Sequence, residues 1–154
     1  VRYYMARHAH PFEDSDITLE KFKDAYNANL ANGLGNLVAR IMKMSESYLS
    51  NPVDVSTFKE LPMVNEHIEA FESNKAMDNL WGYMQDIDEL IQEQEPFKLI
   101  KKNKVAAQKQ VTYYVKELNR IAVHLKPFLP NTAEKIIQAI TENKMPPTLF
   151  PRKE

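Results

Sequence analysis

The residues of this chain best suited to hydrogen-bond a polar ligand are an asparagine and an arginine at helical spacing. Asn36 and Arg40 are four residues apart in the segment YNANLANGLGNLVARIMKM, so on a helix their side chains are neighbours that can contact one ligand together. An amide offers both a donor and an acceptor, whereas a guanidinium offers a rigid fork of donors. Since a helix needs neither residue, the pair is a candidate ligand-binding site; a structural or merely solvated pair is the alternative.

No catalytic or metal-binding pattern accompanies this pair. The chain has no Gly-rich phosphate loop, no His-Glu-x-x-His motif and no evident Ser-His-Asp set. It has no cysteine, which excludes disulfides, thiolate metal sites and cysteine nucleophiles. His8 and His10 have the spacing of metal ligands on a strand, but no third ligand is evident nearby. We therefore predict no catalytic residue and no metal site.

The element that must position Asn36 and Arg40 is a long amphipathic helix. At about 100° per residue, one apolar stripe and one polar stripe fall on opposite faces. We predict a single helix from near Leu19 to about Tyr48, ended by Asn51 and Pro52. The apolar stripe is Leu30, Leu34, Leu37, Ile41 and Met44, and the polar stripe is Asn29, Asn32, Asn36, Arg40 and Lys43.

Two glycines interrupt this helix. Gly33 and Gly35 each cost about 1 kcal/mol against alanine in a helix interior, so something other than helix propensity accounts for them. Close approach of a neighbouring element and close approach of a ligand both explain a missing Cβ.

The rest of the chain also has helical periodicity. Val64, Ile68 and Phe71 space a shorter helix, and another begins at Ser73 and stops at Pro96. Its stripe includes the only tryptophan, Trp81, which we therefore assign to the core. A further helix spans residues 106–126, and a capping box of Asn131 and Glu134 opens the last one. With only 3 glycines and 44% hydrophobic residues, this pattern predicts an all-α fold, an antiparallel bundle of about five helices.

Length and charge restrict the class of protein further. A chain of 154 residues is long enough for one domain with a substantial core. A net charge of −1 argues against bulk electrostatic binding of nucleic acid, but it allows selective reading of a few exposed bases. There is no apolar run long enough to span a membrane and no signal-peptide pattern, so we expect a soluble, cytoplasmic protein.

Other polar residues are interpreted as surface features. The pairs Asp86/Asp88 and Glu93/Glu95 are predicted to lie near a solvent-facing helix surface and to serve solubility. His67 and His124 lie in helical stretches without matching partners, and we predict ordinary surface or boundary positions for them.

Several separated runs resemble one family. The run NANLANGLGNLVAR, the RYY near the start, and the runs EQEPFKL, LKPFLPNTAEKI and PPTLFPRK resemble the anticodon-binding helical domain of methionyl-tRNA synthetase, a class I aminoacyl-tRNA synthetase. They occur in the family's order over almost the whole chain. The valyl, isoleucyl and leucyl synthetases have similar bundles with a less similar Asn-Leu-x-x-Arg segment.

The resemblance implies a domain organisation and a function. Residues 1–17 would be a connector from a catalytic half, residues 18–143 the helical anticodon-binding domain, and residues 144–154 an extended C-terminal tail. The family charges tRNA with methionine using ATP, and this domain would recognise the CAU anticodon of tRNA(Met). The nucleotide-binding signatures of the catalytic half are missing here, so we expect this chain alone to be inactive and to hold no cofactor, with ATP bound by the catalytic half. The expected partners are tRNA(Met) and that half, with no membrane and no DNA.

The resemblance also implies roles for particular residues. Asn36 and Arg40 would hydrogen-bond the first anticodon base. Phe97 matches a position where the family usually has a tryptophan that stacks on that base, and phenylalanine has a smaller π face. Plain packing of Phe97 is the alternative. Lys98, Lys101 and Lys102 would contact phosphates of the anticodon stem, or form a solvated face.

Two other functions stay open at this point. One is a synthetase-derived helical module that binds a protein partner and no longer reads tRNA, which the phenylalanine at position 97 and the near-neutral charge allow. The other is the anticodon domain of a valyl, isoleucyl or leucyl synthetase.

Overall fold

The computed structural model describes residues 1–9, 17–57 and 59–154, and within these ranges it is helical without strands. Residues 10–16 of the expected connector, which include His10, lie outside the described residues. The elements in chain order are α1 (Arg2–His8), α2 (Leu19–Ala25), a π-helical segment (Tyr26–Gly35), α3 (Asn36–Tyr48), α4 (Pro62–Glu69), α5 (Ser73–Gln94), α6 (Pro96–Lys102), α7 (Lys104–Leu125) and α8 (Pro130–Glu142).

The prediction of an all-α antiparallel bundle is confirmed. With α2, the π-helical segment and α3 counted as one continuous helix, the described residues contain five helices of eight or more residues. Helix α7 runs antiparallel to both α3 and α5. Near its start, Gln108 Nε2 donates to the carbonyl oxygen of Tyr48 at the end of α3 (2.7 Å). Halfway along α7 the Tyr114 hydroxyl donates to Gln94 Oε1 at the end of α5 (2.6 Å), and further on Arg120 Nη1 donates to the hydroxyl of Tyr83, which is earlier in α5 (2.7 Å).

The predicted long helix is present, with an unpredicted change of pitch in its middle. It begins after Thr18, whose hydroxyl accepts from the Lys21 backbone N–H at 3.2 Å. The backbone stays in the right-handed helical region at both junctions, Ala25 (φ −61°, ψ −40°) and Gly35 (φ −61°, ψ −44°). Between them the chain winds as a π-helix over ten residues. We call α2, the π-helical segment and α3 together the long helix.

Both glycines lie in the π-helical segment, and a close protein neighbour accounts for Gly35. A Cβ on Gly35 would lie 3.0 Å from the carbonyl oxygen of Leu30 and 3.6 Å from the ring of Phe150. A Cβ on Gly33 would lie 3.4 Å from the carbonyl oxygen of Ala28 and 3.9 Å from Trp81 Nε1, which are ordinary van der Waals distances. Of the two explanations that the sequence left open, the structure supports close approach of other parts of the protein at Gly35 only.

The apolar stripes of the helices meet in one core. The predicted stripe of the long helix is buried, and so is the stripe of α5. Trp81 is 9% exposed, and its Nε1–H donates to the carbonyl oxygen of Asn29 at 3.3 Å, so its assignment to the core is confirmed. The largest fully buried side chains include Tyr114, Leu34, Ile41, Met77, Leu80, Leu118, Ile121 and Ile136.

Phe71 does not follow the predicted helical spacing. Helix α4 ends at Glu69, and Phe71 is 91% exposed in the left-handed region with φ 60°. The local apolar spacing continues past the point where the chain must turn back into α5, so the turn, and not the periodicity, decides the position of this side chain.

His124 is buried, contrary to the surface or boundary position predicted for it. It is 4% exposed; its Nε2 accepts from the backbone N–H of Leu61 at 3.1 Å, and its Nδ1 lies 2.8 Å from the carbonyl oxygen of Arg120. The partner Leu61 is 63 residues distant in sequence, so no local pattern could reveal the contact. His67 is half-buried beside Glu72, as a boundary residue would be.

The last helix begins without the predicted capping box. Its first residue is Pro130, and Leu129 occupies the N-cap position with no side-chain cap. A proline at the first helical position has its φ already set for a helix and has no N–H to satisfy. The helix therefore begins one residue before Asn131.

The C-terminal segment lies along the long helix. The Asn27 side chain exchanges two hydrogen bonds with the backbone of Lys153, each of 2.9 Å. The Tyr26 and Phe150 rings meet edge to face with centroids 6.1 Å apart. No helix occurs in residues 144–154. Among the helices of the described ranges, none has the length and apolarity of a membrane span.

Candidate functional site

A groove of about 930 Å³ lies between the long helix and α5. All five residues of the predicted polar stripe line it, so the two-faced character predicted for the long helix is confirmed. The opposite wall comes from α5, and α1 and the tail close the ends. We call this space the central groove; its lining includes Asn29, Asn32, Asn36, Arg40 and Lys43 from the long helix, Asp78, Trp81, Gln85 and Asp88 from α5, Arg7 from α1 and Met145 from the tail.

Asn36 and Arg40 reach this groove together. Asn36 is the first residue of α3 and is exposed. The Arg40 side chain is 37% exposed, and its Nη1 lies 2.5 Å from Asp88 Oδ1. A guanidinium has five N–H donors, so most of its donors remain to bind a ligand in the groove.

Asp88 is a residue of the central groove whose pairing with Arg40 the sequence interpretation missed. It was assigned to a solubility surface, but its carboxylate lines the central groove and pairs with Arg40. Its second oxygen accepts from Gln92 Nε2 at 2.8 Å. Since 48 residues separate Arg40 from Asp88, only the packing of the long helix on α5 brings the two charges together.

A second arginine–aspartate pair stands at the other end of the groove. Arg7 Nε donates to Asp78 Oδ1 at 2.8 Å, Arg7 Nη1 donates to the Tyr3 hydroxyl at 2.9 Å, and the guanidinium lies 5.1 Å from the centroid of Trp81. Burial raises the pKa of the Tyr3 hydroxyl, and the positive charge of Arg7 opposes that rise. The groove thus has donors and acceptors at both ends.

Phe97 lies outside the lining of the groove. Helix α5 ends at Gln94, Glu95 takes a left-handed conformation (φ 42°, ψ 55°), and Pro96 begins α6. Phe97 is 46% exposed in the first turn of α6. Asp88 is six residues before the end of α5, about 9 Å along the axis, so Phe97 follows the end of the groove that holds Arg40.

The three predicted phosphate-contacting lysines also lie outside the lining. Lys98 Nζ pairs with Glu95 Oε1 at 2.5 Å, with both side chains largely exposed. Lys101 and Lys102 are exposed in the last turn of α6. The structure therefore brings Asn36 and Arg40 together, and it leaves Phe97 and the lysines on a neighbouring exposed surface.

A smaller groove of about 590 Å³ runs beside the central groove. It lies between the long helix and the tail, and its lining includes Pro146, Phe150 and Arg152. Asn32 and Asn36 line both grooves. They therefore stand on the ridge between the two grooves.

Of the two histidines for which we predicted no metal site, His8 and His10, the structure describes His8. His8 is in α1, and its pKa is lowered, first by burial and then by the charge of Arg7. Its predicted neighbour His10 is outside the described residues. Within the described ranges no cluster of three or more histidine or carboxylate side chains could hold a metal ion.

Comparison with known proteins identifies the family. Residues 44–150 match the family model of the anticodon binding domain of methionyl tRNA ligase, and residues 1–42 match that of class I tRNA synthetases (M). The chain is 36% identical over 152 residues to the methionine–tRNA ligase of Clostridium acetobutylicum, covering 88% of this chain and 23% of that protein. It is 32% identical over 158 residues to the Bacillus subtilis enzyme, covering 91% of this chain and 24% of that protein.

A solved structure has the same fold. The apo form of Mycobacterium tuberculosis methionyl-tRNA synthetase superposes with a TM-score of 0.83 at 22% identity, over 99% of this chain and 38% of that one. The chain spans about a quarter of the length of the curated relatives it matches. Because the anticodon-binding-domain model matches more than half of the chain, this protein belongs to the methionyl-tRNA ligase family and carries its anticodon-binding domain.

Proposed function

We propose that this chain recognises the CAU anticodon of tRNA(Met) as the anticodon-binding part of a methionine–tRNA ligase. The observation that carries the proposal is the central groove, where Asn36 and Arg40 stand one helical turn apart with their polar groups accessible. Family membership supports it, since the matching model is that of an anticodon-binding domain.

The chemistry of the groove suits an unstacked base. Proteins read single-stranded RNA by splaying bases out, stacking them on aromatic side chains and hydrogen-bonding their Watson–Crick edges. Arg40 donates to the ring nitrogen and keto oxygen of the first anticodon base, cytosine, and the Asn36 amide supplies a further polar contact. By analogy with base contacts in DNA, each good polar pair contributes about 1–3 kcal/mol of discrimination.

The exposed surface of α6 completes the site. Phe97 stacks on the first anticodon base, a contact typically worth about 1–3 kcal/mol. Lys98, Lys101 and Lys102 contact phosphates of the anticodon stem, which position the RNA without reading its sequence. Their exposure is compatible with this role.

The chemical step belongs to the rest of the enzyme. In this proposal the catalytic half of the same polypeptide binds ATP and methionine and charges the tRNA in the cytoplasm. This chain contributes no catalytic residue, metal or cofactor and is inactive alone. Its nucleic-acid partner is tRNA and not DNA.

The test is a titration of the chain with two anticodon stem-loops, one with CAU and one with UAU, at two salt concentrations. We expect a preference for CAU and, in Asn36→Ala, a fall of at least fivefold in affinity for the CAU stem-loop, the loss that corresponds to about 1 kcal/mol. Asn131→Ala is a matched control, since Asn131 is exposed on α8 and does not line the central groove.

Other outcomes would contradict the proposal. Equal affinity for both stem-loops would argue against an anticodon reader. Binding that is also insensitive to salt would favour a protein-interaction module, because phosphate contacts release counterions and make RNA binding salt-dependent. A preference for a valine, isoleucine or leucine anticodon would assign the chain to a sister synthetase.

A further inference from the structure

We propose that Asp88 is a specificity-determining residue, whose carboxylate accepts a hydrogen bond from the exocyclic amino group of the first anticodon base and so selects cytosine over uracil. The inference rests on the proposed function and adds to it the residue that separates these two pyrimidines.

Neither Asn36 nor Arg40 makes this distinction at the exocyclic position. Cytosine presents an amino donor there, whereas uracil presents a keto acceptor. The Asn36 amide carries both a donor and an acceptor, so by turning over it satisfies either base, and the Arg40 guanidinium only donates. Rejecting uracil at this position requires a group that only accepts, which is the property of an ionised carboxylate.

Asp88 has a carboxylate in the central groove that is placed to accept this hydrogen bond. Its Oδ1 lies 2.5 Å from Arg40 Nη1, so a pure acceptor and a pure donor stand side by side on the groove wall. Cytosine has a donor beside an acceptor on its Watson–Crick edge, which is the complementary order. In uracil both groups are reversed, so the carboxylate would face a keto oxygen and the guanidinium would face an N–H.

Asp88 also has the capacity for another bond. A carboxylate has about four lone-pair sites, and the structure uses one on each oxygen, for Arg40 and for Gln92. The Asp88 side chain is 37% exposed, as is that of Arg40. The existing pair therefore holds the acceptor in position without covering it.

The alternative to a reading role is a purely positioning one, in which Asp88 only orients Arg40. The two roles differ in what Asp88→Asn does to the uracil stem-loop. Asparagine has a donor for the keto oxygen, so a reading role predicts that the variant binds the UAU stem-loop more tightly. Loss of Arg40 orientation alone would weaken the binding of both stem-loops.

The experiment titrates the chain, Asp88→Asn and Asp86→Asn with the CAU and UAU stem-loops at one salt concentration. Asp86 is exposed on the same helix and outside the central groove, so its variant measures the effect of removing one negative charge. We expect the preference for CAU to fall about tenfold in Asp88→Asn, through a gain in UAU affinity, as one lost discriminating contact implies. In Asp86→Asn we expect both affinities to change equally.

Two results would overturn the inference while the proposed function stands: an unchanged CAU preference in Asp88→Asn, or equal weakening of both stem-loops. If the unsubstituted chain itself shows no CAU preference, the proposed function fails and the inference fails with it.

Discussion

Replacing Arg40 with alanine is expected to lower tRNA selection far more than it lowers stability. The structural cost is small because the ion pair with Asp88 is a surface contact, with both side chains 37% exposed. Exposed ion pairs contribute about 0–1 kcal/mol, and alanine is a slightly better helix former than arginine. We therefore expect the free energy of unfolding to fall by less than about 1 kcal/mol, a decrease in Tm of at most about 2–4 °C for a chain of this size.

The cost in recognition is larger. In the proposed function, Arg40 supplies the donors for two acceptors of the first anticodon base, and a good bidentate pair of this kind contributes about 1–3 kcal/mol. The preference for a CAU over a UAU stem-loop is then expected to fall by roughly 5- to 150-fold.

Two measurements on the same preparation check this difference. Thermal unfolding followed by circular dichroism reports stability, and titration with fluorescently labelled CAU and UAU stem-loops reports selectivity. Arg2→Ala is the matched control, since Arg2 is an exposed arginine on α1 outside the central groove. If the loss in selectivity, expressed as free energy, is no larger than the loss in stability, Arg40 is a structural residue and the reasoning is wrong.

Two further predictions concern stability. Gly35→Ala is expected to lower the free energy of unfolding by about 1 kcal/mol, because the added Cβ would lie 3.0 Å from the Leu30 carbonyl oxygen and overpacking of about 1–3 kcal/mol exceeds the gain in helix propensity. Gly82→Ala adds a Cβ with no atom within 4 Å, so this variant is expected to raise the free energy of unfolding by about 0.5–1 kcal/mol. Urea denaturation measures the free energy of unfolding of both variants. If both substitutions stabilise the protein, the account of Gly35 is wrong. Burial raises the pKa of Tyr114 from its ordinary value of 10.0 to about 12. The folded state therefore favours the protonated hydroxyl. The resulting contribution to the free energy of unfolding is fully present below pH 10 and is lost as the pH rises towards 12. We expect Tyr114 to contribute about 2–3 kcal/mol of this loss in urea denaturation from pH 8 upwards. In Tyr114→Phe the loss is expected to be smaller by that amount but not absent, because burial also raises the pKa of Tyr3, Tyr83 and Tyr113; the same slope in both proteins would exclude Tyr114 as a source.

The helices could be predicted from the sequence because they depend on local periodicity. The long helix, α5 and α7 each repeat apolar residues over several turns, and these stripes are the buried faces in the structure. The π-helical segment could not be predicted in the same way, because the signal of Gly33 and Gly35 indicates a close approach without saying which element makes it. The errors at Phe71 and at the start of α8 lie at helix ends, where periodicity carries the least information.

Half of the candidate site could likewise be predicted from the sequence. Asn36 and Arg40 share one face because helical geometry over four residues is local, and this face lines the central groove. The burial of His124 and the pairing of Asp88 with Arg40 could not be predicted, because the partners are distant in sequence, 63 and 48 residues away.

By itself, then, the sequence determined the all-α bundle, the two faces of the long helix and the resemblance to the methionyl-tRNA synthetase family. Only the tertiary structure decided that α5 forms the second wall of the groove, that Asp88 stands beside Arg40, and that Phe97 lies on a neighbouring surface. The physical reason is range: hydrogen bonds and apolar stripes repeat within a few residues of one helix, whereas a groove and its charge pairs exist only after separate helices have packed together.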